Sequence, residues 1–176
     1  VLPPLSVDGP ALTLHRAGNF HFGFEELITI GTLSPSLKSL LEALVAARSN
    51  ILISGGRSSG KTTLVNCLLD GIGSQHPVIV CGEAVGCDLR RPNVVYFEPR
   101  PRNFDGEGQV SMQDLVKNSL RLRPSYLVVD ELRGREALDL LQSMSAGQEG
   151  SIATLMAHSP QEALSRVEEM ILTTGW

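Results

Sequence analysis

The chain has 176 residues, of which 42 % are hydrophobic, 19 % charged and 5 % aromatic, and its formal charge at pH 7 is −4. This length suits one compact domain, and the composition excludes a disordered chain as well as one embedded in a membrane. The negative charge argues against coating of nucleic acid, and three cysteines without CxxC spacing favour a reducing compartment over a disulfide framework or a zinc site.

The first 33 residues differ in character from the rest of the chain. Residues 1–10 contain three prolines and are typical of extended chain, residues 11–16 have the pattern of one strand, and residues 19–24 gather three phenylalanines. We interpret residues 1–33 as a linker or as the end of a preceding domain.

Regular elements begin at Ser34. Ser34 is a predicted N-cap with Pro35 in the first helical position, and leucines follow at helical spacing. Further helices are predicted over 61–69, from Ser111 to before Pro124, over 137–144, and from Ser159 through a capping box with Glu162. Apolar runs predict strands at 50–54, 77–81, 94–98, 126–130 and 151–156.

Strands and helices therefore alternate along the chain with short connections. This order predicts an α/β fold with a mainly parallel sheet and helices on both faces. The strands are continuous apolar runs, which is typical of a sheet covered on both sides.

A phosphate-binding loop is the strongest chemical signal. Residues 55–62 read Gly-Gly-Arg-Ser-Ser-Gly-Lys-Thr and match G-x-x-x-x-G-K-[ST] between a predicted strand and a predicted helix. Such a loop turns main-chain N–H groups toward phosphate oxygens, its lysine reaches the β- and γ-phosphates, and its threonine hydroxyl binds Mg²⁺. The candidate nucleotide-binding residues are Arg57, Ser58, Ser59, Gly60, Lys61, Thr62 and Thr63.

Two acids follow the predicted strand 126–130. Asp130 and Glu131 stand where a phosphate-loop protein delivers a carboxylate toward Mg²⁺, so both are candidate metal ligands together with Thr62. Because consecutive residues of a strand point to opposite sides, we expect only one of them to face the nucleotide. The alternative is a solvated strand end.

Two long segments of the sequence resemble a known family. The segments GTLSPSLKSLLEALVAARSNILISGGRSSGKTTLVNCLL and PNVVYFEPRPRNFDGEGQVSMQDLVKNSLRLRPSYLVVDELRGREALDLLQSMSAGQEGS resemble type II and type IV secretion and pilus ATPases, most of all the CpaF/TadA type that assembles tight-adherence (Flp) pili. The resemblance implies a RecA-like P-loop NTPase fold. It also implies that residues 1–33 end the family's N-terminal domain and linker, and that 34–176 form the ATPase domain without its C-terminal helices.

Several positions depart from the family pattern. The family's carboxylate box, I-E-D-x-x-E, places its first Glu on Gly82, so we expect Glu83 to act as a displaced substitute in polarising the attacking water. The two histidines of the family's histidine box fall on Gln148 and Met156. His158 is either a displaced replacement or a polar residue before a helix cap. These departures predict intact nucleotide binding and slow turnover.

The resemblance also assigns roles to charged residues. Glu131 matches the family's Walker B acid, and Arg100 and Arg121 match family arginines that would act on a neighbouring subunit's nucleotide. The alternative for any one of these arginines is an exposed or acid-paired surface. Eight arginines, more than half of the fifteen lysine and arginine residues, crowd between 90 and 135: Arg90, Arg91, Arg100, Arg102, Arg121, Arg123, Arg133 and Arg135.

The function implied is an ATP-binding and ATP-hydrolysing motor domain with ATP or ADP and Mg²⁺ as cofactors. We expect a homohexamer of the full-length protein in the bacterial cytoplasm, peripheral to the inner membrane and in contact with an inner-membrane platform protein. Neither membrane insertion nor direct nucleic-acid binding is expected. The first alternative is a nucleotide-binding paralogue that acts as a structural or regulatory ring subunit with little hydrolysis. The second is a DNA-translocating or conjugation ATPase, which the acidic charge and the lack of an aromatic groove disfavour.

Overall fold

The computed structural model describes residues 7–10, 12, 22–82 and 92–175. The helices and strands of these ranges alternate as the sequence predicts from residue 34 onward. In chain order they are α1 (Phe24–Thr29), α2 (Pro35–Ala46), β1 (Ile51–Ser54), α3 (Lys61–Asp70), β2 (Val78–Cys81), β3 (Val94–Phe97), α4 (Met112–Arg121), β4 (Tyr126–Val129), α5 (Glu136–Ser145), β5 (Ser151–Leu155) and α6 (Pro160–Leu172).

Serine caps start three of the helices where the sequence predicts them. The Ser34 hydroxyl accepts a hydrogen bond from Leu37 N at 3.2 Å at the start of α2, and Ser111 exchanges hydrogen bonds with Asp114 at the start of α4. At α6 the Ser159 hydroxyl accepts from Glu162 N, but the Glu162 carboxylate accepts from the main chain of His158. The predicted capping box is therefore only half formed.

The five strands of the described residues form one parallel sheet in the order β1-β5-β4-β2-β3. Because all strands run the same way, their carboxyl ends meet at one edge, which is where ligands bind in open α/β sheets. The chain leaves β1, β4 and β5 at neighbouring points of this edge. This topology confirms the predicted α/β class.

Two apolar layers cover the sheet, one on each face. Alternate strand residues such as Val80 and Val128 pack with α1, α2 and α3, whereas Ile79 and Leu127 pack with α4, α5 and α6. Burial on both faces explains why the strands lack polar alternation.

The region before residue 34 contains a helix that the sequence analysis did not predict. Gly23 N donates to the Glu26 carboxylate at 3.0 Å, and Phe24 and Leu27 of α1 are buried in the same apolar layer as α3. The strand predicted over 11–16 lies outside the described residues except for Leu12. No helix in the described ranges has both the length and the apolar character needed to cross a bilayer.

Candidate nucleotide-binding site

The loop between β1 and α3 has a left-handed backbone at two positions. Ser58 and Gly60 adopt left-handed conformations with φ of 58° and 93°, and Gly60 is the N-cap of α3. Gly55 is needed for space, because a Cβ there would lie 2.3 Å from the Ser59 hydroxyl oxygen. Glycine is therefore required at position 60 by its backbone conformation and at position 55 by close packing.

Lys61 is the first residue of α3, and its ammonium group turns back over the loop. Its Nζ donates to the main-chain oxygen of Gly55 at 3.0 Å and to that of Gly56 at 2.7 Å. The charge is thus held at the mouth of the loop, next to the positive end of the α3 dipole. Both features favour an anion in this place.

A cavity of about 360 Å³ opens between this loop and the carboxyl ends of β4 and β5. Three cationic and two carboxylate side chains line it, in contrast to the net negative charge of the whole chain. The lining residues are Arg57, Ser58, Ser59, Gly60, Lys61, Thr62, Thr63, Asp130, Glu131, Arg133, Thr154 and Met156. The structure therefore brings together all seven predicted loop residues and both predicted acids.

Both acids line the cavity, which differs from the alternation expected at a strand end. The strand β4 stops at Val129, and Glu131 has a left-handed φ of 62°. This conformation breaks the strand pattern and turns the second carboxylate toward the same side as that of Asp130. A non-glycine residue in this conformation stores strain of the kind found at functional sites.

Thr154 of β5 ties the two acids together. Its buried hydroxyl accepts a hydrogen bond from Glu131 N at 2.7 Å and donates one to Asp130 Oδ1 at 2.9 Å. The hydroxyl thus fixes the unusual backbone at 131 and the orientation of the carboxylate at 130. Sequence reasoning missed this residue, although a lone threonine within the apolar run of β5 was a signal.

Arg133 is the second residue of the site that sequence reasoning did not assign to it. Its Nη2 lies 2.5 Å from Glu131 Oε2. This hydrogen bond, followed by the charges of Arg133, Lys61 and Arg57, lowers the pKa of the Glu131 carboxyl against the opposing effect of its partial burial. Glu131 is therefore held ionised beside the phosphate loop.

The predicted trans-acting arginines lie away from this cavity in their own subunit. Arg100 is exposed and donates to Gly108 O at 2.8 Å, in a loop closed by a bridge between Arg100 and Val110. Arg121 ends α4, and its Nη1 donates to Asn118 Oδ1 at 3.5 Å. Their action on a neighbouring subunit stays a prediction. Glu83, the predicted substitute carboxylate, lies outside the described residues, as do Arg90 and Arg91.

The three positions of the histidine box have different surroundings. Met156 lines the cavity, and about 37 % of its surface is exposed. Gln148 lies in the turn before β5, and its side-chain amide donates to Pro124 O. The His158 ring lies beside the phosphate loop, since its Cε1 is 3.7 Å from where a Cβ of Gly56 would stand. Of these three, only position 156 faces the cavity.

A second, more apolar groove of about 500 Å³ adjoins the cavity. The two share Ser58, Ser59, Gly60, Lys61 and Thr63. Apolar side chains form most of the remaining lining, among them Leu27 of α1, Leu37 of α2 and Leu64 of α3. A polar compartment thus continues directly into one that suits an aromatic or apolar group.

Comparison with known proteins agrees with this geometry. The family model described as Type II/IV secretion system protein matches residues 2–175. A putative conjugal transfer protein of Mycobacterium tuberculosis is 33 % identical over 170 residues, which are 97 % of this chain and 48 % of the relative. The conjugal transfer protein TrbB of Rhizobium radiobacter is 30 % identical over 173 residues, 97 % of this chain and 51 % of that protein. The chain spans about half the length of these relatives.

Solved structures of secretion-system ATPases are also similar to this chain. The VirB11 ATPase from the Brucella suis type IV secretion system, crystallised in complex with sulphate, superposes with a TM-score of 0.68 at 28 % identity over 84 % of this chain and 42 % of its own. The Legionella pneumophila ATPase DotB has a TM-score of 0.59 at 19 % identity over 80 % of this chain and 39 % of its own, which shows a shared fold.

Proposed function

Because this chain belongs to the type II/IV secretion system protein family, we propose that its cavity binds and hydrolyses Mg²⁺-ATP as part of a motor domain. The observation that carries the proposal is the placement of the Lys61 ammonium over the loop, where it donates to the main-chain oxygens of Gly55 and Gly56, in one cavity with two carboxylates. Loop and acids come from separate parts of the chain, and the fold brings them together at the carboxyl edge of the sheet.

The residues of the cavity fit the parts of a nucleotide–metal complex. Lys61 and the first turn of α3 neutralise phosphate oxygens, and the Thr62 hydroxyl with the carboxylates of Asp130 and Glu131 supplies the hard oxygen ligands that Mg²⁺ prefers. When bound, Mg²⁺ neutralises charge that builds up on the β- and γ-phosphate oxygens. The apolar groove beside the loop offers a compartment for the base and sugar.

We further propose the assembly and setting that the sequence resemblance implies. Residues 34–176 form the ATPase domain, and residues 1–33 connect it to a preceding domain. In the full-length protein the subunits form a homohexamer at the cytoplasmic face of the inner membrane, where hydrolysis drives an inner-membrane platform protein. Arg100 and Arg121 reach the nucleotide of the neighbouring subunit in that ring. Tight-adherence pilus assembly is the specific role proposed, and the conjugal-transfer names of the relatives support the wider class of transfer and secretion machines.

A second candidate function is a nucleotide-binding ring subunit with little hydrolysis. One observation favours it: the cavity wall at position 156 carries a methionine, which donates no hydrogen bond to a phosphate. The two functions share the same binding site and differ in turnover.

Titration calorimetry with Mg²⁺-ATP and Mg²⁺-ADP, followed by a phosphate-release assay on the full-length protein, tests the proposal. We expect Lys61→Ala to abolish both the binding heat and hydrolysis. The matched control is Lys117→Ala on α4, a half-exposed lysine that lies 3.8 Å from Asp139 and does not line the cavity. Absence of binding heat at millimolar nucleotide refutes the proposed function, whereas binding without phosphate release selects the second candidate. Stimulation of the rate by added DNA selects the conjugation ATPase instead.

A further inference from the structure

Positions 82 and 130 lie at corresponding points just beyond the adjacent strands β2 and β4. The last paired residues are Cys81 and Val129, and Asp130 N donates to Cys81 O at 2.8 Å. The two chains approach each other so closely there that a Cβ built on Gly82 would lie 2.6 Å from the Cβ of Asp130. Carbon atoms in van der Waals contact stand about 3.5–4.0 Å apart.

This conflict comes from the Asp130 side chain and not from its main chain. The next nearest atoms to a Cβ at position 82 are the Cα and N of Asp130, at 3.5 and 3.6 Å, which are ordinary contact distances. With glycine at 130, a Cβ at position 82 would therefore fit without a shift of the backbone. In the observed backbone the two positions have room for a Cβ at one of them but not at both.

Of positions 82 and 130, the one that carries a side chain, Asp130, also faces the cavity. Asp130 lines it, and the buried Thr154 hydroxyl fixes the orientation of the Asp130 carboxylate. Glu131, the neighbouring acid, is paired with Arg133. The two carboxylates thus have different partners, which suits them to different tasks.

We propose that Asp130 takes the place of the carboxylate that Gly82 lacks and that it accepts a hydrogen bond from the attacking water. This inference rests on the proposed function and replaces the sequence-based expectation that Glu83 has this role. It also removes Asp130 from the proposed Mg²⁺ ligands and leaves Thr62 and Glu131 in that role. In the step it serves, the water oxygen bonds to the γ-phosphorus while the bond from that phosphorus to the β–γ bridging oxygen breaks. ADP leaves with the electron pair, and the proton of the water passes to the released phosphate. Asp130 orients the water and keeps no proton.

The steric half of the proposal is tested by thermal unfolding of Gly82→Ala, Asp130→Gly and the double variant. We expect Gly82→Ala to lower the melting temperature by about 5 °C in the wild-type background and to have no effect in the Asp130→Gly background. The control is Gly56→Ala, where the new Cβ meets nothing closer than a His158 ring carbon at 3.7 Å. If Gly82→Ala lowers the melting temperature equally in both backgrounds, the proposed steric conflict between positions 82 and 130 is wrong.

The catalytic half is tested by ATP turnover in the full-length protein. We expect Asp130→Asn and Asp130→Gly to lower kcat about 100-fold, with KM and ADP affinity changed less than about threefold, because the carboxylate acts on water and not on the nucleotide. The exchange variant Gly82→Glu with Asp130→Gly regains at least about tenfold over Asp130→Gly alone, because it restores a carboxylate from the other strand.

The outcomes separate this inference from the proposed function. A wild-type rate in Asp130→Asn, or an exchange variant no faster than Asp130→Gly, overturns the role of Asp130 and leaves ATP hydrolysis standing. A wild type that binds nucleotide without releasing phosphate also rejects this role. A wild type that binds no nucleotide refutes the proposed function. The unfolding experiment does not depend on nucleotide, so it still tests the steric conflict between positions 82 and 130.

Discussion

Removal of the Thr154 hydroxyl is the most direct test of how the two acids are held. Thr154→Val keeps the shape of the buried side chain but deletes the oxygen that accepts from Glu131 N at 2.7 Å and donates to Asp130 Oδ1 at 2.9 Å. The variant removes one hydrogen bond from a part-buried main-chain donor and one from a carboxylate, each at a cost of about 2 kcal/mol, and gains about 1 kcal/mol from the added methyl group. We expect a net loss of about 3 kcal/mol in the free energy of unfolding.

That loss is measurable in two ways. For a chain of this size it corresponds to a fall in melting temperature of about 9 °C. In addition, Glu131 loses the hydrogen bond that holds its left-handed backbone, so we expect kcat to fall about 100-fold from misplacement of the carboxylate. The control is Thr154→Ser, which keeps the hydroxyl and removes only a methyl group, at a cost of about 1 kcal/mol.

Urea unfolding and a phosphate-release assay on both variants decide the question. If Thr154→Val is as stable as Thr154→Ser and turns over ATP at the same rate, the hydroxyl does not organise the two acids. If stability falls but kcat does not, the hydroxyl supports the fold without positioning the carboxylates. Only a joint loss in Thr154→Val supports the geometry described here.

Three further predictions follow from the same cavity. Arg133→Ala removes the main cause of the lowered pKa of Glu131. Since the ionised carboxylate is the active form, we expect the pH at which kcat falls on the acid side to move to a higher value. An unchanged pH profile of kcat, or an equal shift in the control Arg135→Ala at an exposed residue, contradicts this. Gly60→Ala places a Cβ at a φ of 93° with no atom within 4 Å, so urea unfolding shows a purely conformational loss of about 1–2 kcal/mol, and calorimetry shows weaker ADP binding. Met156→His supplies a hydrogen-bond donor to the cavity wall and raises kcat about tenfold; an unchanged rate means that the donor missing there does not limit turnover.

The elements that sequence patterns located best are those whose signals are local. The cap at Ser34 and the glycine turn before Lys61 act within a few residues of themselves, and the structure shows the cap and the start of α3 where they were predicted. Helix α1 was missed because six residues carry too short a pattern, and burial of Phe24 and Leu27 against distant residues stabilises it.

The sequence by itself determined the position of the glycine-rich turn between β1 and α3, the alternation of strands and helices, and the parallel sheet covered on both faces, because each depends on residue spacing along a short stretch. Only the tertiary structure decided that Asp130 and Glu131 share one cavity, that Thr154 joins them, and that Gly82 has no room for a side chain. The physical reason is that backbone dihedrals at a strand end and the distance between two strands are set by packing among residues far apart in the chain. No spacing rule within one segment contains that information.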